Sequence, residues 1–472
     1  MNNMPWPGAS PCLGDASEYR RWHELPFFNY IDCPAYDING VRKWWEWQKI
    51  AEWAEESGLL NDKSSLLGLG CGSEPLVYYF AGRAGHVLAS DIYSAETSWG
   101  EARFRDLEQL YGKPYTYPRE RLDFENADMR QVPVADESID LVWSCSSIEH
   151  VPSLFDTWLV YAEIARVLKP GGLAILTTEY CVDGPSYLLR SLNALDSMLL
   201  PNLVGSLGGL SLLGSVSVPE IAAGQQNRPF LRRYVGARPI SSGIQEASSS
   251  MYQKIGFSTL APVAYVLRKA GRTITPWRSL ALPEQYYLYS DAVLQAELGN
   301  SANAARMLEG CYEDALRNCP LQLAAQIAFV YLSALAQGAS RGAYLSKASK
   351  FIQILPEDGL LDADIVAAVA MQMGAVGEVE ECAKLLQRCA MSPSALFDHS
   401  IAVSCLNIKA LNLLGRAEEG ISGLVDNLRD LLANGLPIES LRRVLTKEIP
   451  SLTPDETQQQ QLLKLLCARA GC

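Results

Sequence analysis

The stretch that decides the fold reads Ser65-Leu66-Leu67-Gly68-Leu69-Gly70-Cys71-Gly72-Ser73. Its apolar residues predict a short buried strand, and its alternating glycines predict a tight turn. A helix is expected over 75–84, because Ser73 suits its N-cap and Pro75 suits its first turn. The run His86-Val87-Leu88-Ala89-Ser90-Asp91 then predicts a second strand that ends in an acid. This order is typical of a parallel α/β sheet that binds a nucleotide-like ligand.

The spacing of the glycines distinguishes a dinucleotide ligand from an adenosine ligand with an amino-acid tail. A dinucleotide fingerprint would require a further glycine at Ser73 or Pro75, and neither position has one. The observed pattern, G-x-G-x-G, suits a ligand with an amino-acid tail, whose carboxylate a helix N-terminus favours. An acid at the tip of the second strand, here Asp91, can accept hydrogen bonds from both hydroxyls of a ribose. The sequence therefore predicts an adenosine ligand without a pyrophosphate.

Length and composition narrow the class of protein. The chain has 472 residues, of which 48% are hydrophobic and 20% are charged, so two or three folded domains are expected. A formal net charge of −13 disfavours phosphate backbones, and hence nucleic acid, as substrate or partner. No secretory signal is visible, and the 12 cysteines include no C-x-x-C pair. We therefore expect a cytoplasmic protein with reduced cysteines.

Further motifs follow in a fixed order. The run Asn126-Ala127-Asp128-Met129 precedes a proline- and acid-containing segment at 132–142, and Leu168-Lys169-Pro170-Gly171-Gly172 precedes an apolar strand. With the glycine turn and Asp91, these motifs resemble those of class I S-adenosylmethionine-dependent methyltransferases of type 11. The resemblance covers 64–269, with an insert, a possible lid, near 190–250. It implies a Rossmann-like α/β domain of seven strands, the last antiparallel, and S-adenosyl-L-methionine as cofactor.

The resemblance also assigns cofactor roles to individual residues. Asp91 would hold the ribose, Asp128 with Met129 would face the adenine, and Ser144 to Ser147 would lie under the sulfonium. Glu74 has two interpretations, since it could meet the cofactor's ammonium or favour the dipole of the following helix. The predicted cofactor-binding residues are Gly68, Gly70, Gly72, Glu74, Asp91, Ile92, Asp128, Met129 and Ser144. No metal site is expected, although a magnesium-dependent mechanism stays open.

Two residues after the fourth strand are candidates for catalysis. Methyl transfer from a sulfonium depends mainly on alignment, but an alcohol acceptor also benefits from a general base. Of the four histidines, only His150 is expected where the active site opens. We predict that Glu149 and His150 act as a base and its orienting partner. The alternatives are that His150 caps the helix starting near Ser153 or is a packed loop residue.

Tryptophans are concentrated before the first motif, which predicts an aromatic-rich N-terminal cap over 1–63. On the helix expected at 41–56, Trp44 and Trp47 share the side that should pack on the sheet. Trp45 and Trp53 fall largely off that side. With Tyr30 and Tyr36, they are candidates for stacking on a sugar or another flat acceptor.

The C-terminal part has a different composition. All ten tryptophans lie at or before Trp277, and a proline-containing linker is expected at 273–284. Downstream, glycines recur at near-equal intervals, each followed five residues later by a small residue; the glycines are Gly299, Gly338, Gly377 and Gly415, and the small residues are Ala304, Ala343, Cys382 and Gly420. This pattern resembles tetratricopeptide-type repeats, with a longer period. We expect an all-α solenoid-like domain at 285–446 and a terminal helix or tail at 447–472; a plain helical bundle is the alternative.

Three functions stay open at this point. The first is methyl transfer to a hydroxyl of a glycan, glycolipid precursor or other small acceptor, because 74–81, 91–93 and 146–150 resemble bacterial glycan-modifying methyltransferases. The second is a protein methyltransferase whose repeats recruit a protein partner. The third is a non-catalytic scaffold, which the intact glycines and Asp91 disfavour. No transmembrane segment is expected, since the uncharged stretch 197–219 is only weakly apolar.

Overall fold

A computed structural model describes most of the chain. The residues described are 10–14, 26–31, 41–72, 74–93, 115–182, 193–214, 253–255, 258–319, 321–337, 341–355, 363–390, 397–433, 438–453 and 455–471. Ser73, Tyr36, Gly338 and most of the predicted insert at 190–250 lie outside them.

The N-terminal part is built around one mixed sheet. Its strands are β1 (Cys12–Leu13), β2 (Ser65–Leu69), β3 (His86–Asp91), β4 (Leu122–Asn126), β5 (Ile139–Cys145), β6 (Leu168–Cys181), β7 (Leu210–Leu212), β8 (Gln253–Ile255) and β9 (Ser258–Lys269). The order is β1-β9-β6-β5-β2-β3-β4, with β7 and β8 also paired to β9. Strands β2 to β6 are parallel, and β9 runs antiparallel to β6.

The described sheet thus has nine strands, whereas the sequence predicted seven. Three of the nine, β1, β7 and β8, are only two or three residues long, and each pairs antiparallel with the long strand β9. The predicted turn at 169–172 lies inside β6, where the pairing with β5 shifts register between Ile139 and Leu141. Gly171, with a φ of +82°, allows this local bend.

Five helices accompany the sheet: α1 (Pro26–Ile31), α2 (Val41–Glu56), α3 (Pro75–Ala81), α4 (Leu154–Val167) and α5 (Leu199–Asn202). Helix α3 is shorter than the predicted 75–84, because Gly82 takes the C-cap position and its N–H bonds back to the helix. One side of the sheet core contains Trp45, Tyr78 and Trp143, contributed by α2, α3 and β5. The other side contains Tyr161 of α4 and continues through Trp277 into the C-terminal helices. The sheet is therefore covered on both sides, and its carboxyl edge is left to form a site.

The C-terminal part is helical. Its helices are α6 (Glu284–Glu297), α7 (Ser301–Asn318), α8 (Leu321–Ala336), α9 (Arg341–Gln353), α10 (Ala363–Ala375), α11 (Val379–Ala390), α12 (Phe397–Leu413), α13 (Ala417–Ala433), α14 (Ile438–Glu448) and α15 (Glu456–Ala470). None of the described helices is long and apolar enough to cross a membrane.

Several features of these helices recur at the predicted repeat positions. Gly299, Gly377 and Gly415 have positive φ angles where one helix ends. Ala304, Cys382 and Gly420 are buried at helix contacts, but Ala343 is exposed while its neighbour Tyr344 is buried. The small-residue prediction is therefore wrong at 343, where an aromatic side chain fills the contact instead.

Candidate active site

The turn between β2 and α3 is shaped by glycine. Gly70 and Gly72 have φ angles of +67° and +50°, which glycine adopts without the steric cost of a side chain. A Cβ on Gly70 would lie 2.4 Å from the Cβ of Ser147, so the end of β5 packs directly against the turn. A Cβ on Gly68 would lie 2.4 Å from the ring of Trp143. Gly68 is therefore required by packing within the protein.

The acid at the end of β3 lies against this turn. One carboxylate oxygen of Asp91 accepts a hydrogen bond from the backbone N–H of Gly72 at 2.6 Å, and the other accepts one from Ile92 at 2.6 Å. Burial raises the pKa of Asp91, and the two backbone hydrogen bonds only partly oppose that rise. The side chain of Ile92 is 52% exposed. An acid and an exposed apolar side chain thus lie together beside the glycine turn.

Glu74 follows the turn and is directed inward. It is only 6% exposed, and its two carboxylate oxygens accept hydrogen bonds from the indole of Trp143 at 2.9 Å and that of Trp47 at 3.2 Å. It occupies the N-cap position of α3, but its side chain makes no capping hydrogen bond. Burial raises the pKa of Glu74 to about 7, against the opposing effects of the two indoles and Lys43. A carboxyl group that titrates near neutrality therefore lies next to the turn.

The neighbouring residues Asp128 and Met129 lie in different environments. Arg130 binds the Asp128 carboxylate through its guanidinium at 2.7 Å and its backbone N–H at 2.8 Å. Burial acts to raise the pKa of Asp128, but the hydrogen bonds and charge of Arg130 outweigh it and leave the pKa below its usual value. The Met129 methyl, by contrast, lies 3.0 Å from the Cβ position of Gly70. Met129 reaches the turn, whereas the carboxylate of Asp128 is engaged by its neighbour.

The serines at the end of β5 fasten that strand to β2. The hydroxyl of Ser144, which is buried, donates to the carbonyl of Leu69 at 2.9 Å, and Ser147 donates to the carbonyl of Gly70 at 2.8 Å. Ser144 therefore lies beneath the turn and braces it from within the sheet.

The predicted catalytic residues form a short 3₁₀ turn, Ile148–His150. Glu149 is 1% exposed; one carboxylate oxygen accepts a hydrogen bond from Thr178 at 3.0 Å, and the other has no hydrogen-bond partner among the residues that the structure describes. Burial, then the negative charge of Glu179, raises the pKa of Glu149 to about 8. His150 is half-buried, and Ser153 rather than His150 caps α4, so the capping interpretation of His150 is wrong.

Helix α2 contributes contacts that sequence reasoning missed. Arg42 pairs with Glu179 of β6 at 2.5 Å. Glu46, 2% exposed, accepts hydrogen bonds from Lys43 at 2.9 Å and from Ser146 at 2.7 Å. Burial acts to raise the pKa of Glu46, but the charge of Lys43 and the other donors outweigh it and lower the pKa. No local pattern indicates the Arg42–Glu179 and Glu46–Ser146 contacts, because their partners lie 137 and 100 positions apart in the sequence.

The proposed sugar-stacking tryptophans are not available to a ligand. Trp45 and Trp53 are 0% and 2% exposed and belong to the apolar cluster that α1, α2, α3 and the sheet share. Tyr30 stacks on Tyr115 with ring centroids 5.6 Å apart. The stacking prediction is therefore wrong for Trp45 and Trp53, and Trp47, through Glu74, is the α2 tryptophan linked to the site.

No group of histidine, cysteine or acidic side chains that could hold a metal ion occurs among the described residues. Of the aspartates considered from the sequence, Asp136 pairs with Arg166 at 2.6 Å and Asp140 pairs with Lys169 at 2.7 Å. Asp128 is engaged by Arg130 as described above. These carboxylates thus serve ion pairs within the protein.

Comparison with known proteins agrees with this geometry. Residues 67–176 match the family model described as a methyltransferase domain. The chain is 33% identical over 125 residues to 27-O-demethylrifamycin SV methyltransferase of Amycolatopsis mediterranei, covering 26% of this chain and 41% of the relative. It is 40% identical over 85 residues to dimethylglycine N-methyltransferase of Parasynechococcus marenigrum, covering 18% and 29%. The chain spans less than half the length of these relatives.

Among solved structures, the geranyl diphosphate C-methyltransferase of Streptomyces coelicolor aligns with 57% of this chain and all of its own, at 14% identity and a TM-score of 0.31. The family match identifies residues 67–176 as a methyltransferase domain. S-adenosylmethionine is the cofactor of that domain.

Proposed function

We propose that the chain is a methyltransferase that transfers a methyl group to a hydroxyl of a glycan, glycolipid precursor or other small acceptor. The observation that carries this proposal is the contact between the Asp91 carboxylate and the backbone N–H of Gly72, at 2.6 Å. This contact puts an acid at the crevice where the first strand turns into its helix, which is where an adenosyl group is bound in sheets of this kind. The described residues fit the cofactor on this ground.

The cofactor would be held by residues around the glycine turn. Asp91 would accept hydrogen bonds from the ribose hydroxyls, and the apolar side chains of Ile92 and Met129 would pack against the adenine. Gly70 and Gly72 would let the backbone approach the methionine end, where Glu74 would meet the ammonium. Gly68, Asp128 and Ser144 would shape the site through their contacts with Trp143, Arg130 and Leu69. When bound, the cofactor supplies a methyl group on a good leaving group, so that alignment carries much of the rate.

His150 is the proposed general base. The neutral imidazole of a histidine has a ring nitrogen that can accept a proton from an acceptor hydroxyl. Glu149, whose pKa is about 8, stays largely protonated at neutral pH and is a poor base. We assign Glu149 to holding the Ile148–His150 turn, through its bond to Thr178, so that His150 is presented to the acceptor.

The preference for oxygen rests on the relative whose name specifies a 27-O-demethyl substrate. Other relatives carry names that specify nitrogen or carbon methylation, so the acceptor atom belongs to this proposal. We further propose a cap at 1–63, a methyltransferase domain at 64–272, a linker at 273–284, helical repeats at 285–446 and a C-terminal helix or tail at 447–472.

A docking role for the repeats is supported by bonds that link successive helical hairpins. Arg341 pairs with Glu378 at 2.7 Å, and Arg416 pairs with Glu380 at 2.9 Å. Such stacking produces an extended surface, which in helical repeats commonly binds another protein. This is the observation that favours the second candidate function, a protein methyltransferase whose repeats recruit the target.

Labelled cofactor separates these functions. The full chain is incubated with methyl-labelled S-adenosylmethionine and separate pools of glycans, small hydroxylated molecules and proteins, with Asp91→Ala as the inactive control. We expect label in the glycan or small-molecule pool. Label confined to the protein pool would replace the proposal with the second candidate, and binding without transfer to any pool would favour a scaffold.

A further inference from the structure

Ser146 has an unusual backbone conformation at the end of β5. Its φ is +47°, and among the described non-glycine residues only Glu137 shares a positive φ. L-residues avoid this left-handed region because the Cβ crowds the neighbouring backbone, so the surrounding structure must hold such a residue there. The bend lies directly before Ser147, which is the residue that packs against Gly70.

One turn of α2 provides the contacts that hold the bend. The Ser146 hydroxyl donates to the buried carboxylate of Glu46 at 2.7 Å, and the backbone N–H of Ser146 donates to Thr177 at 3.0 Å. The ammonium of Lys43 balances the charge of Glu46 at 2.9 Å and donates to the carbonyl of Cys145 at 3.3 Å. Ser146 and the preceding residue, Cys145, are thus fastened to the same turn of α2.

The bend in turn determines where the glycine turn lies. Ser147 directly follows the bend, and its hydroxyl donates to the carbonyl of Gly70 at 2.8 Å. Its Cβ lies in the space that a side chain on Gly70 would occupy. The next residue of α2, Trp47, bonds to Glu74 on the other side of the same turn. Helix α2, which precedes the segment matched by the family model, therefore contacts Glu74 directly and reaches Gly70 through Ser146 and Ser147.

We propose that Glu46 is a positioning residue for cofactor binding, which acts by keeping Ser146 in its left-handed conformation. The inference rests on the proposed cofactor site around Asp91 and Gly72. Glu46 does not need to touch the cofactor for this role, because its effect passes through Ser146 and Ser147 to Gly70. A ligand-binding defect in a Glu46 variant should then depend on which residue occupies position 146.

The test measures the affinity of the full chain for S-adenosylhomocysteine by isothermal titration. Ser146→Ala loses the bond to Glu46 and keeps a Cβ, so we expect its dissociation constant to rise about tenfold. Ser146→Gly also loses the bond but adopts the bend freely, so it should stay within about threefold of the wild type. Equal weakening in both variants would overturn the proposal, because the hydroxyl and not the bend would then matter.

A second pair of variants tests Glu46 itself. Glu46→Ala should weaken binding about tenfold, and adding Ser146→Gly to it should recover most of the loss. The matched control is Glu52→Ala, since Glu52 lies on the same helix with its own lysine, Lys49, at 3.4 Å. The control should bind like the wild type. Unchanged binding by Glu46→Ala would overturn this inference alone, whereas failure of the wild type to bind would overturn the proposed cofactor site with it.

Discussion

Carboxylates at the sheet's carboxyl edge and on the C-terminal helices have opposite environments. Glu74 and Glu149 are buried, and burial raises their pKa values to about 7 and about 8. Glu313 lies exposed on α7, where Lys350 and Lys347 lower its pKa to about 2. A glutamate at the carboxyl edge of the sheet therefore has a pKa near neutral pH, whereas Glu313 on the C-terminal helices stays ionised at that pH. The difference teaches that burial at a strand edge, rather than the number of acids, marks the candidate site.

The largest expected difference between the candidate site and the C-terminal helices comes from replacing a glycine in each region. Gly70→Ala introduces both a left-handed alanine and a clash with Ser147, so we expect the affinity for S-adenosylhomocysteine to fall by about a hundredfold or more. Gly299, with a φ of +78°, has open space around it. Gly299→Ala should cost about 1 kcal/mol in the stability of the helical part and leave that affinity unchanged. Equal effects of the two substitutions on titrated affinity would remove the distinction.

Replacing the proposed general base, His150, should have the next largest effect, and this effect should be on the rate of methyl transfer. His150→Ala should lower the rate of methyl transfer about a hundredfold while leaving the affinity for S-adenosylhomocysteine near that of the wild type. His86→Ala is the matched control, since His86 pairs with Asp123 at the start of β3, away from the carboxyl edge. Single-turnover rates with labelled cofactor measure both variants. A rate for His150→Ala that matches the control would contradict the assignment.

Glu74 predicts a pH dependence of binding. Its carboxyl group titrates at about 7, and only the ionised form attracts the cofactor's ammonium. The affinity for S-adenosylhomocysteine should therefore rise several-fold between about pH 6 and pH 8. In Glu74→Gln this rise should be absent, because the side chain cannot ionise. A wild-type affinity that is flat over the same range would argue against contact between Glu74 and the ammonium.

Glu149 predicts a smaller effect on stability. Its pKa is raised on folding, so its contribution is fully present below the unfolded pKa of about 4.5 and is lost as pH rises towards about 8. The apparent melting temperature of the wild type should therefore fall between about pH 5 and pH 8 more steeply than that of Glu149→Gln. For Glu313 the sign is opposite, since its lowered pKa removes stability only as pH falls from about 4 towards about 2. Thermal melts of Glu149→Gln and Glu313→Gln at several pH values distinguish the two regions.

Local sequence patterns predicted the parts of the fold that depend on neighbours in the chain. The strand–turn–helix–strand unit lies where the glycines and the apolar runs predicted it, and Asp91 ends β3. Helix α3 is shorter than expected because Gly82, which the prediction placed inside it, takes the C-cap position. Patterns of this kind depend on residues within a few positions of one another, and the sequence displays them directly.

The contacts of α2 could not be predicted in the same way. The bond between Glu46 and Ser146 joins residues about a hundred positions apart, and it depends on how α2 packs over the sheet. Trp45 is buried in the apolar cluster that α1, α2, α3 and the sheet share, and helical periodicity does not reveal this. The sequence leaves two interpretations of Glu74 open, and its position between the indoles of Trp143 and Trp47 depends on the packed structure.

The measurement that tests the account most directly is a titration of S-adenosylhomocysteine into the wild type, Asp91→Ala and Asp123→Ala. Asp123 lies on β4 next to β3, and its exposed carboxylate pairs with His86. We predict binding by the wild type and by Asp123→Ala, and a loss of about a hundredfold or more in Asp91→Ala, which removes a charge-assisted contact at the ribose. A wild type that does not bind this nucleoside, or an Asp91→Ala variant that binds it equally well, would contradict the account.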